Sequence, residues 1–177
     1  MRIISGKFRG KKIFFTNSTI TRPLRDFVKE NIFNILSHWK NDKIKFSELN
    51  ILDLYSGIGS FGLECISRDV KKVVFIEKDK TAFSILKKNI NLLNITKKAH
   101  LLNLDVKNFI NEKYETKFDL IFFDPPYRDN SFIEIIELLK KGKFLNNPHI
   151  IIIHREKNSE DQISKDLKIH LTKYYGR

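Results

Sequence analysis

The chain has 177 residues, and its 33 Lys and Arg residues against 21 Asp and Glu residues give it a net charge of +12 at pH 7. This length suits one domain with a small appendage, and the positive field favours a polyanionic partner such as a nucleic acid. The sequence shows neither an apolar run that would span a bilayer nor a signal-peptide core, so we expect a cytoplasmic protein, and we expect it to be a monomer.

The first twenty residues predict a basic β-hairpin whose turn, at residues 6–10, should project from the domain. Basic side chains surround Phe8 in this segment: Arg2, Lys7, Arg9, Lys11 and Lys12. Positive charge beside an aromatic ring suits contact with an RNA backbone combined with stacking. Two alternatives are a hairpin that only covers a sheet edge, and a lysine content raised by compositional drift, as the many Ile and Asn residues suggest.

A strand, a glycine turn and a helix follow one another in the next motif. Residues 51–54 predict a short buried strand, residues 56–60 a tight turn, and residues 61–67 a helix. The turn carries the spacing Gly57-x-Gly59-x-x-Gly62, and glycines there let the backbone approach a ligand closely. The helix beyond offers unpaired N–H groups at its N-terminus. A glycine turn alone also fits binders of dinucleotides and phosphates.

Two acidic residues narrow the choice of ligand. Asp53 lies at the end of the first strand, where a carboxylate repels a pyrophosphate but can pair with an ammonium group. Glu77 follows the second apolar run, residues 72–76, and is well placed to bind ribose hydroxyls. An adenosine joined to a cationic amino acid meets both demands. The sequence therefore predicts S-adenosylmethionine as the cofactor.

The rest of the chain alternates between helical and strand patterns. Apolar residues recur at helical spacing in residues 80–93, with Asp79 as the N-cap. The further predicted elements are a strand at 99–104, a helix at 108–112, a strand at 118–123, a helix at 131–140, a strand at 149–154, a weak helix at 159–167 and a last strand at 168–174. Strands that are apolar on both faces and separated by helices predict an α/β fold, with a parallel sheet covered by helices on both faces.

The segment Asp124-Pro125-Pro126-Tyr127 closes the strand at 118–123. Two prolines force a sharp turn there, and their rings fix the directions of the Asp124 carboxylate and the Pro125 carbonyl. Tyr127 adds a flat face beside these two acceptors. Such a group suits a planar molecule that bears an NH₂, such as a nucleobase pulled out of its stack. The alternative is a proline-bent loop without a binding role.

Four of the predicted strands end near an acidic residue. These residues are Asp53, Glu77, Asp105 and Asp124. Ligands of parallel sheets bind outside the carboxyl ends of the strands, near the point where the strand order reverses, so we expect the four carboxylates to surround one site. The five histidines show no metal-ligand spacing, and we expect no metal. Two interpretations of His154, at the end of a strand, stay open: a place beside the site and, favoured, a structural or solvent-exposed role. Cys65 is expected to pack as a small apolar residue.

Together these motifs resemble the RsmD family of bacterial ribosomal RNA methyltransferases along the whole chain. The matching segments are residues 1–10, Thr21-Arg22-Pro23 with Asp26, Glu30 and residues 33–36, the glycine turn, Ile76-Glu77-Lys78-Asp79 and Asp124-Pro125-Pro126-Tyr127. The glycine turn and the Asp-Pro-Pro-Tyr pattern occur in many amino-methyltransferases. The N-terminal hairpin and Thr21-Arg22-Pro23 narrow the resemblance to this family.

The resemblance implies a Rossmann-like, class I methyltransferase domain dependent on S-adenosylmethionine at residues 21–177, after the hairpin extension at 1–20. It implies methylation of a guanine N2 amine in small-subunit ribosomal RNA, namely guanine 966 of 16S RNA, in free RNA or in an assembling 30S particle. The implied cofactor-binding residues are Thr21, Arg22, Asp53, Tyr55, Ser56, Gly57, Gly59, Glu77, Lys78 and Asp105. The implied catalytic residues are Asp124, Pro125, Pro126 and Tyr127, and the RNA-binding residues are Arg2, Lys7, Phe8, Arg9, Lys11 and Lys12.

Two other functions stay open at this point. An amino-methyltransferase that acts on adenine N6 or cytosine N4 of DNA or RNA shares the Asp124 motif, although this chain has no evident target-recognition domain. A basic RNA-binding assembly factor without activity is the second alternative, against which the intact Gly57, Glu77 and Asp124 argue. Nucleoside analysis of methylated RNA and DNA distinguishes the first alternative from guanine methylation. Titration with S-adenosylmethionine distinguishes the inactive assembly factor from an enzyme.

The sequence departs from the family pattern at its C-terminus. The sheet of the family ends with a strand after the Tyr174-Tyr175-Gly176 segment, whereas this chain ends at Arg177. The closing strand is either lost from this sequence through truncation or absent from the protein, in which case the sixth strand has to pair differently. We expect truncation, because absence of the strand would leave an unpaired apolar gap in the sheet.

Overall fold

The computed structural model describes residues 1–15, 24–39, 44–112, 114–126, 129, 131–156 and 167–175. Helices and strands alternate along this part of the chain. In order they are α1 (Asp26–Ser37), a 3-10 turn (Phe46–Glu48), β1 (Asn50–Leu54), α2 (Ser60–Ser67), β2 (Lys72–Ile76), α3 (Lys80–Leu93), β3 (Ala99–Leu102), α4 (Val106–Asn111), β4 (Phe118–Phe123), α5 (Phe132–Lys141) and β5 (Leu145–Ile153).

The five strands form one parallel sheet in the order β3-β2-β1-β4-β5. The order reverses between β1 and β4, because the chain runs outward from β1 through β2 to β3 and then returns to the other side of β1. Ligands of open α/β sheets bind at such a reversal, beyond the carboxyl ends of the strands. The predicted α/β fold with a parallel sheet is confirmed.

Both faces of the sheet are apolar, and helices cover each of them. On one face Ile51 and Phe75 pack with side chains of α1, α2 and α3, among them Phe33. On the other face Leu52 and Ile121 pack with α4 and α5. Successive strand residues point to opposite faces, so a strand covered on both sides has to be apolar throughout. Within the described residues, none of the helices has the length and apolar character needed to cross a membrane.

Helix α3 begins and ends where its sequence predicts. Asp79 is the N-cap, and its Oδ1 accepts a hydrogen bond from the backbone N–H of Ala82 at 2.7 Å. Leu86 and Ile90, which lie one helical turn apart, are buried. Asn94 ends the helix in the left-handed conformation, at φ 53, which asparagine tolerates better than most residues. The cap fixes the short connection between β2 and α3.

The N-terminal residues 1–15 make a tight antiparallel reversal that contains one isolated bridge and no full strand. Arg2 pairs with Lys12 in this bridge. Helix α2 holds the reversal, because the two oxygens of the buried Glu64 carboxylate accept the backbone N–H groups of Ile4 and Ser5 at 2.8 and 2.9 Å. The predicted chain reversal is therefore present, and it is attached to the helix that follows the glycine turn.

The prediction that the turn at residues 6–10 projects from the domain is wrong. The backbone N–H of Lys7 donates to the Ser67 carbonyl at 2.7 Å, and that of Phe8 donates to the Ser67 hydroxyl at 3.0 Å. The Phe8 side chain is 9% exposed and belongs to the core, and the ammonium groups of Lys7 and Lys11 lie 5.7 and 5.4 Å from its ring centre. Phe8 is therefore too deeply buried to stack on a base, and its position does not support the predicted role in RNA binding.

The prediction of a last strand at residues 168–174 is also wrong. These residues have no regular secondary structure, and the apolar side chains that suggested alternation, Ile169 and Leu171, are 57% and 46% exposed. Alternation specifies a strand only where one face can be buried, and this segment buries neither side chain. Its end is held by a ring contact instead, because Tyr175 packs edge-on against Phe27 with the ring centres 5.8 Å apart.

Candidate active site

The predicted acidic residues meet at one edge of the sheet. In the register of the strands, Leu54 of β1 lies opposite Ile76 of β2 and opposite Phe123 of β4. The residues that follow these ends therefore leave the sheet side by side, with Glu77 on one flank of β1 and Asp124 on the other. This edge is the reversal point of the strand order.

The glycine turn presents its first glycine to open space. Gly57 has φ +55, and a β-carbon added there would meet nothing within 4 Å. A β-carbon at Gly59 would fall 2.4 Å from Leu86 Cδ1, and one at Gly62 would fall 2.2 Å from Phe75 Cε1. Gly59 and Gly62 are therefore needed for close packing of α2, whereas Gly57 is the glycine beside which a ligand can lie.

Ser56 ties this turn to β2. Its backbone N–H donates to the Ile76 carbonyl at 3.0 Å, and its hydroxyl donates to the same oxygen at 3.3 Å. The Ser56 side chain is buried and already has an acceptor. Its contribution to a ligand site is therefore to hold the backbone of the turn in place.

Glu77 joins the glycine turn to the start of α3. Its Oε2 accepts the backbone N–H of Gly57 at 2.7 Å, and its Oε1 accepts that of Asp79 at 2.7 Å. Burial raises the pKa of Glu77, although the bonds from Asp79 and Gly57 act to lower it. Each carboxylate oxygen can accept more than one hydrogen bond, so Glu77 can shape the turn and still receive hydroxyl groups from a ligand.

Asp53 lies one residue before the end of β1 and is 1% exposed. Its Oδ2 accepts the backbone N–H of Gly62 at 2.9 Å. Burial raises the pKa of Asp53 well above its ordinary value; the Gly62 bond opposes this shift, and the negative charges of Asp124 and Glu77 add to it. The predicted role of Asp53 toward an ammonium group stays a prediction, and the structure adds that burial makes its negative charge costly.

We expect Asp53→Asn to raise the melting temperature of the ligand-free protein at neutral pH. A carboxyl group whose folded-state pKa is raised loses stability as the pH rises from its unfolded-state pKa through its folded-state pKa. Each pH unit between these two pKa values is worth about 1.4 kcal/mol, and 1 kcal/mol corresponds to about 2–4 °C for a domain of this size. The asparagine oxygen can still accept the Gly62 N–H.

Thermal melts of the wild type and Asp53→Asn from neutral pH down to about pH 4 test this expectation. The difference in melting temperature should shrink as the pH falls, because the wild-type carboxyl becomes protonated and neutral. A difference that stays constant over this range, or a variant that is less stable at neutral pH, contradicts the assignment of a costly buried charge.

The far side of the edge is built by β3 and α4. Asp105 is the N-cap of α4 and accepts the backbone N–H of Lys107 at 3.0 Å. Its other oxygen pairs with the exposed Lys78 ammonium at 3.3 Å. Asn103 donates from its side-chain amide to the Glu77 carbonyl at 2.8 Å. Predicted residues of the second and third strand ends are thus joined to one another by hydrogen bonds.

Tyr55 connects the end of β1 to the loop after β4. Its hydroxyl donates to Asp129 Oδ2 at 3.4 Å, and burial together with the negative charge of Asp129 raises the pKa of Tyr55. Partial burial acts to raise the pKa of Asp129 as well, but hydrogen bonds from Ser131 and Tyr55 outweigh it and hold that pKa below its ordinary value. Tyr55 therefore spans the reversal point between the two strands.

The loop that follows β4 brings the Asp124 carboxylate and the carbonyl groups of Pro125 and Pro126 to this edge. Asp124 is partly buried, and its Oδ1 lies 2.8 Å from Nδ1 of His154. The Pro126 carbonyl accepts the backbone N–H of Asp129 at 2.8 Å and a guanidinium N–H of Arg155 at 3.1 Å. Within the described part of the chain, the Pro125 carbonyl oxygen makes no hydrogen bond. Among the described residues, neither Asp124 Oδ2 nor the buried Pro125 carbonyl thus has a hydrogen-bond partner.

Sequence reasoning gave too little weight to the end of β5. A place for His154 beside the site was the less favoured alternative, and Arg155 was not considered, yet both contact the Asp124–Pro126 loop. The signal was the position of His154 immediately after an apolar strand, as for the four acidic residues. It carries information only once β5 is known to pair with β4.

Some predictions fall outside the described residues. They are the roles of Thr21, Arg22 and Tyr127 and the helix at residues 159–167 except its last residue. The basic side chains predicted to bind RNA are described and exposed: Arg2, Lys7, Arg9, Lys11 and Lys12. No cluster of His, Cys, Asp and Glu that could hold a metal ion is present among the residues described.

Comparison with known proteins places the chain in a family. The profile of a family described as "Conserved hypothetical protein 95" matches residues 1–177. Ribosomal RNA small subunit methyltransferase D of Haemophilus influenzae is 38% identical over 160 residues, which cover 89% of this chain and 80% of that protein. The chain belongs to the RsmD family of methyltransferases. The protein of the same name from Escherichia coli K12 is 30% identical over 178 residues, which cover 100% of this chain and 86% of the relative.

Solved structures of methyltransferase-like proteins share the fold of this RsmD-family chain. The Escherichia coli protein yhhF, provisionally assigned as a methyltransferase, superposes with a TM-score of 0.83 at 29% identity, over 99% of this chain and 92% of the other. A Haemophilus influenzae protein provisionally assigned as a methylase gives 0.74 at 32% identity, over 97% and 92% of the two chains. The predicted methyltransferase fold is confirmed.

Proposed function

We propose that this protein transfers a methyl group from S-adenosylmethionine to the exocyclic N2 amine of a guanine in small-subunit ribosomal RNA, by resemblance guanine 966 of 16S RNA. The observation that carries the proposal is a pair of acceptors at the reversal point of the sheet, Asp124 Oδ2 and the Pro125 carbonyl, which have no hydrogen-bond partner among the described residues. Relatives at 30% and 38% identity bear the name of a small-subunit ribosomal RNA methyltransferase. A ribosomal RNA substrate also agrees with the expected cytoplasmic location.

The residues around the glycine turn fit S-adenosylmethionine. Gly57 leaves open space where a β-carbon would stand, and Glu77 keeps acceptor capacity for the two ribose hydroxyls. The buried charge of Asp53 is relieved by a cationic amino-acid group, and Asp105 lies on the side where the adenine is expected. When bound, the cofactor supplies a methyl group on a positively charged sulfur, which is a strong electrophile.

The loop after β4 acts on the nucleophile. The lone pair of a guanine N2 amine is delocalised into the base, so the amine is a poor nucleophile. Hydrogen bonds from its two N–H groups to Asp124 and to the Pro125 carbonyl favour a pyramidal nitrogen with its lone pair directed away from the ring. Asp124 then accepts the proton that the amine loses as the C–N bond forms. Tyr127 is proposed to stack on the base, and alignment of the reacting groups supplies the rest of the acceleration.

Methylation of three substrates by the purified protein tests the proposal. They are free 16S RNA and assembled 30S particles from a strain that lacks the endogenous enzyme, and DNA oligomers as the comparison. Nucleoside analysis should show N2-methylguanosine in one of the RNA substrates, and primer extension should map it to one site. Methyladenine or methylcytosine as the product contradicts the guanine assignment, and binding of S-adenosylmethionine without any product points to an inactive assembly factor.

We expect the N-terminal basic segment to bind the RNA backbone without taking part in methyl transfer. Replacing both Lys7 and Arg9 with alanine should weaken RNA binding and reduce the slope of log affinity against log salt by about 0.7–0.9 for each lost phosphate contact. Affinity for S-adenosylmethionine should stay unchanged. Filter binding at several salt concentrations, with calorimetry for the cofactor, measures both quantities.

The matched control replaces Lys140 and Lys141, two exposed lysines at the end of α5. This variant loses the same net charge from the opposite face of the sheet. Equal salt slopes for the two double variants would show that only the total charge matters. A Lys7/Arg9 variant with the wild-type slope would place the RNA contacts elsewhere.

A further inference from the structure

We infer that His154 is a positioning residue for Asp124, and that it holds the carboxylate in the orientation that receives the substrate amine. The inference rests on the proposed function and adds the end of β5 to the site. His154 donates from Nδ1 to Asp124 Oδ1 at 2.8 Å. Within the described part of the chain this is the only hydrogen bond that Asp124 makes.

The strand register builds this contact. Phe123 of β4 lies opposite Ile153 of β5, so the residues that follow them leave the sheet together. The backbone N–H of His154 donates to the Phe123 carbonyl at 2.8 Å, which extends the parallel ladder by one bond beyond the last pair. Both the backbone and the side chain of His154 therefore hold the point at which the chain turns into the Asp124–Pro126 loop.

The imidazole of His154 is the donor in the hydrogen bond to Asp124. A carboxylate has only acceptor sites, so the hydrogen between the two groups is carried by Nδ1 of the imidazole. This bond uses one oxygen of Asp124 and leaves Oδ2 for the substrate. Without a partner, the carboxylate could rotate about its χ2 torsion, which is broad for aspartate. An acceptor that has to align an amine for in-line attack gains from such a restraint, because small misplacements of reacting groups are costly.

Arg155 makes a second contact from the same strand end. Its guanidinium donates to the Pro126 carbonyl at 3.1 Å and lies 5.0 Å from the ring centre of Phe132. His154 and Arg155 thus hold two of the three described residues of the loop and leave the Pro125 carbonyl without a partner in the described chain. Asp124 Oδ2 and the Pro125 carbonyl, the acceptors proposed for the substrate, are those to which the end of β5 makes no hydrogen bond in the described chain.

The inferred role requires Nδ1 of His154, whereas a role in proton transfer would use Nε2. Variants that keep a nitrogen at only one of these positions distinguish the two roles. Asparagine places its amide nitrogen near the position of Nδ1, whereas glutamine places it near that of Nε2. We therefore expect His154→Ala to lower kcat by about 10–100-fold, the scale of a misplaced reacting group. His154→Asn should recover most of the loss, and His154→Gln should recover less. KM for RNA and affinity for S-adenosylmethionine should stay close to wild type.

His149→Ala is the matched control, because His149 is an exposed histidine in β5 whose Nδ1 lies 2.8 Å from the Asn146 carbonyl, away from the loop after β4. Steady-state kinetics on the RNA substrate, calorimetry with S-adenosylmethionine, and melting temperatures are measured for the wild type and all four variants. The control should match the wild type in kcat. Melting temperatures show whether a loss of rate comes from unfolding, and the Asn variant keeps the test valid if the Ala variant folds poorly.

Three results would overturn the inference: His154→Ala with the wild-type kcat, recovery by Gln but not by Asn, or a loss confined to KM. The first result would show that His154 has no role in turnover. The second would show that Nε2 is the nitrogen that acts, and the third would show that His154 contributes to RNA binding. A wild-type protein that binds S-adenosylmethionine but methylates no guanine contradicts the proposed function itself, and with it the inference.

Discussion

Asp124→Ala should abolish methyl transfer while the affinity for S-adenosylmethionine stays close to that of the wild type. In the proposed mechanism Asp124 supplies one of the two acceptors for the substrate amine and receives its proton. Its loss should therefore cost at least the roughly 10²–10³-fold in kcat that follows removal of one preorganised hydrogen-bonding group at a reaction centre. The fold should persist, because Asp124 is only partly buried and its one hydrogen bond within the described chain goes to His154.

Single-turnover rates on the RNA substrate, with calorimetry for the cofactor, measure the two effects separately. Asp124→Asn is the informative companion, because it keeps the shape and one acceptor oxygen but turns the other oxygen into a donor. It should lie between the wild type and Asp124→Ala. A near-normal rate for Asp124→Ala would remove the mechanism, and a large fall in cofactor affinity would show that Asp124 belongs to the cofactor pocket instead.

The sequence predicted the regular elements best where two local signals agreed. The bounds of α3 were predicted correctly, because the helical period of its apolar residues coincided with the capping residue Asp79. The start of β5 was placed too late, since the residues from Asn146 to Pro148 are poor strand formers. The strand begins at Leu145, which pairs with Phe118 before a shift in register. The false strand at residues 168–174 had an alternating pattern but no core face to bury it.

The sequence could predict those residues of the candidate site that come directly after a strand. Glu77 and Asp124 were found because each follows an apolar run, and parallel pairing brings such residues to one edge. The depth of Asp53 and the burial of Phe8 were not predictable, since they depend on packing against α2. Phe8 is held by Ser67, which is far away in sequence. His154 required the register between β4 and β5.

Glu77→Ala should weaken S-adenosylmethionine binding by roughly ten- to a hundredfold, because losing hydrogen bonds to a charged acceptor costs about 1.5–3 kcal/mol. The structure gives a second reason for a large effect. Glu77 accepts the backbone N–H groups of Gly57 and Asp79 at 2.7 Å each, so the variant also loses the contacts that hold the glycine turn against α3. Glu77→Gln should not restore full affinity, because the two N–H groups bind different carboxylate oxygens and glutamine replaces one of these oxygens with an NH₂ donor.

Calorimetric titration with S-adenosylmethionine gives the affinities, and Glu137→Ala, which removes an exposed carboxylate from α5, is the control for the change in net charge. The Glu77 variants should still fold, since the residue lies at an open strand end. Their kcat at saturating cofactor should stay within the range of the wild type, because Glu77 contacts neither Asp124 nor the loop after β4 in any described hydrogen bond. This separates Glu77 from Asp124: one variant loses binding and keeps turnover, and the other keeps binding and loses turnover. Unchanged cofactor affinity in Glu77→Ala would mean that the ribose lies elsewhere along the sheet edge.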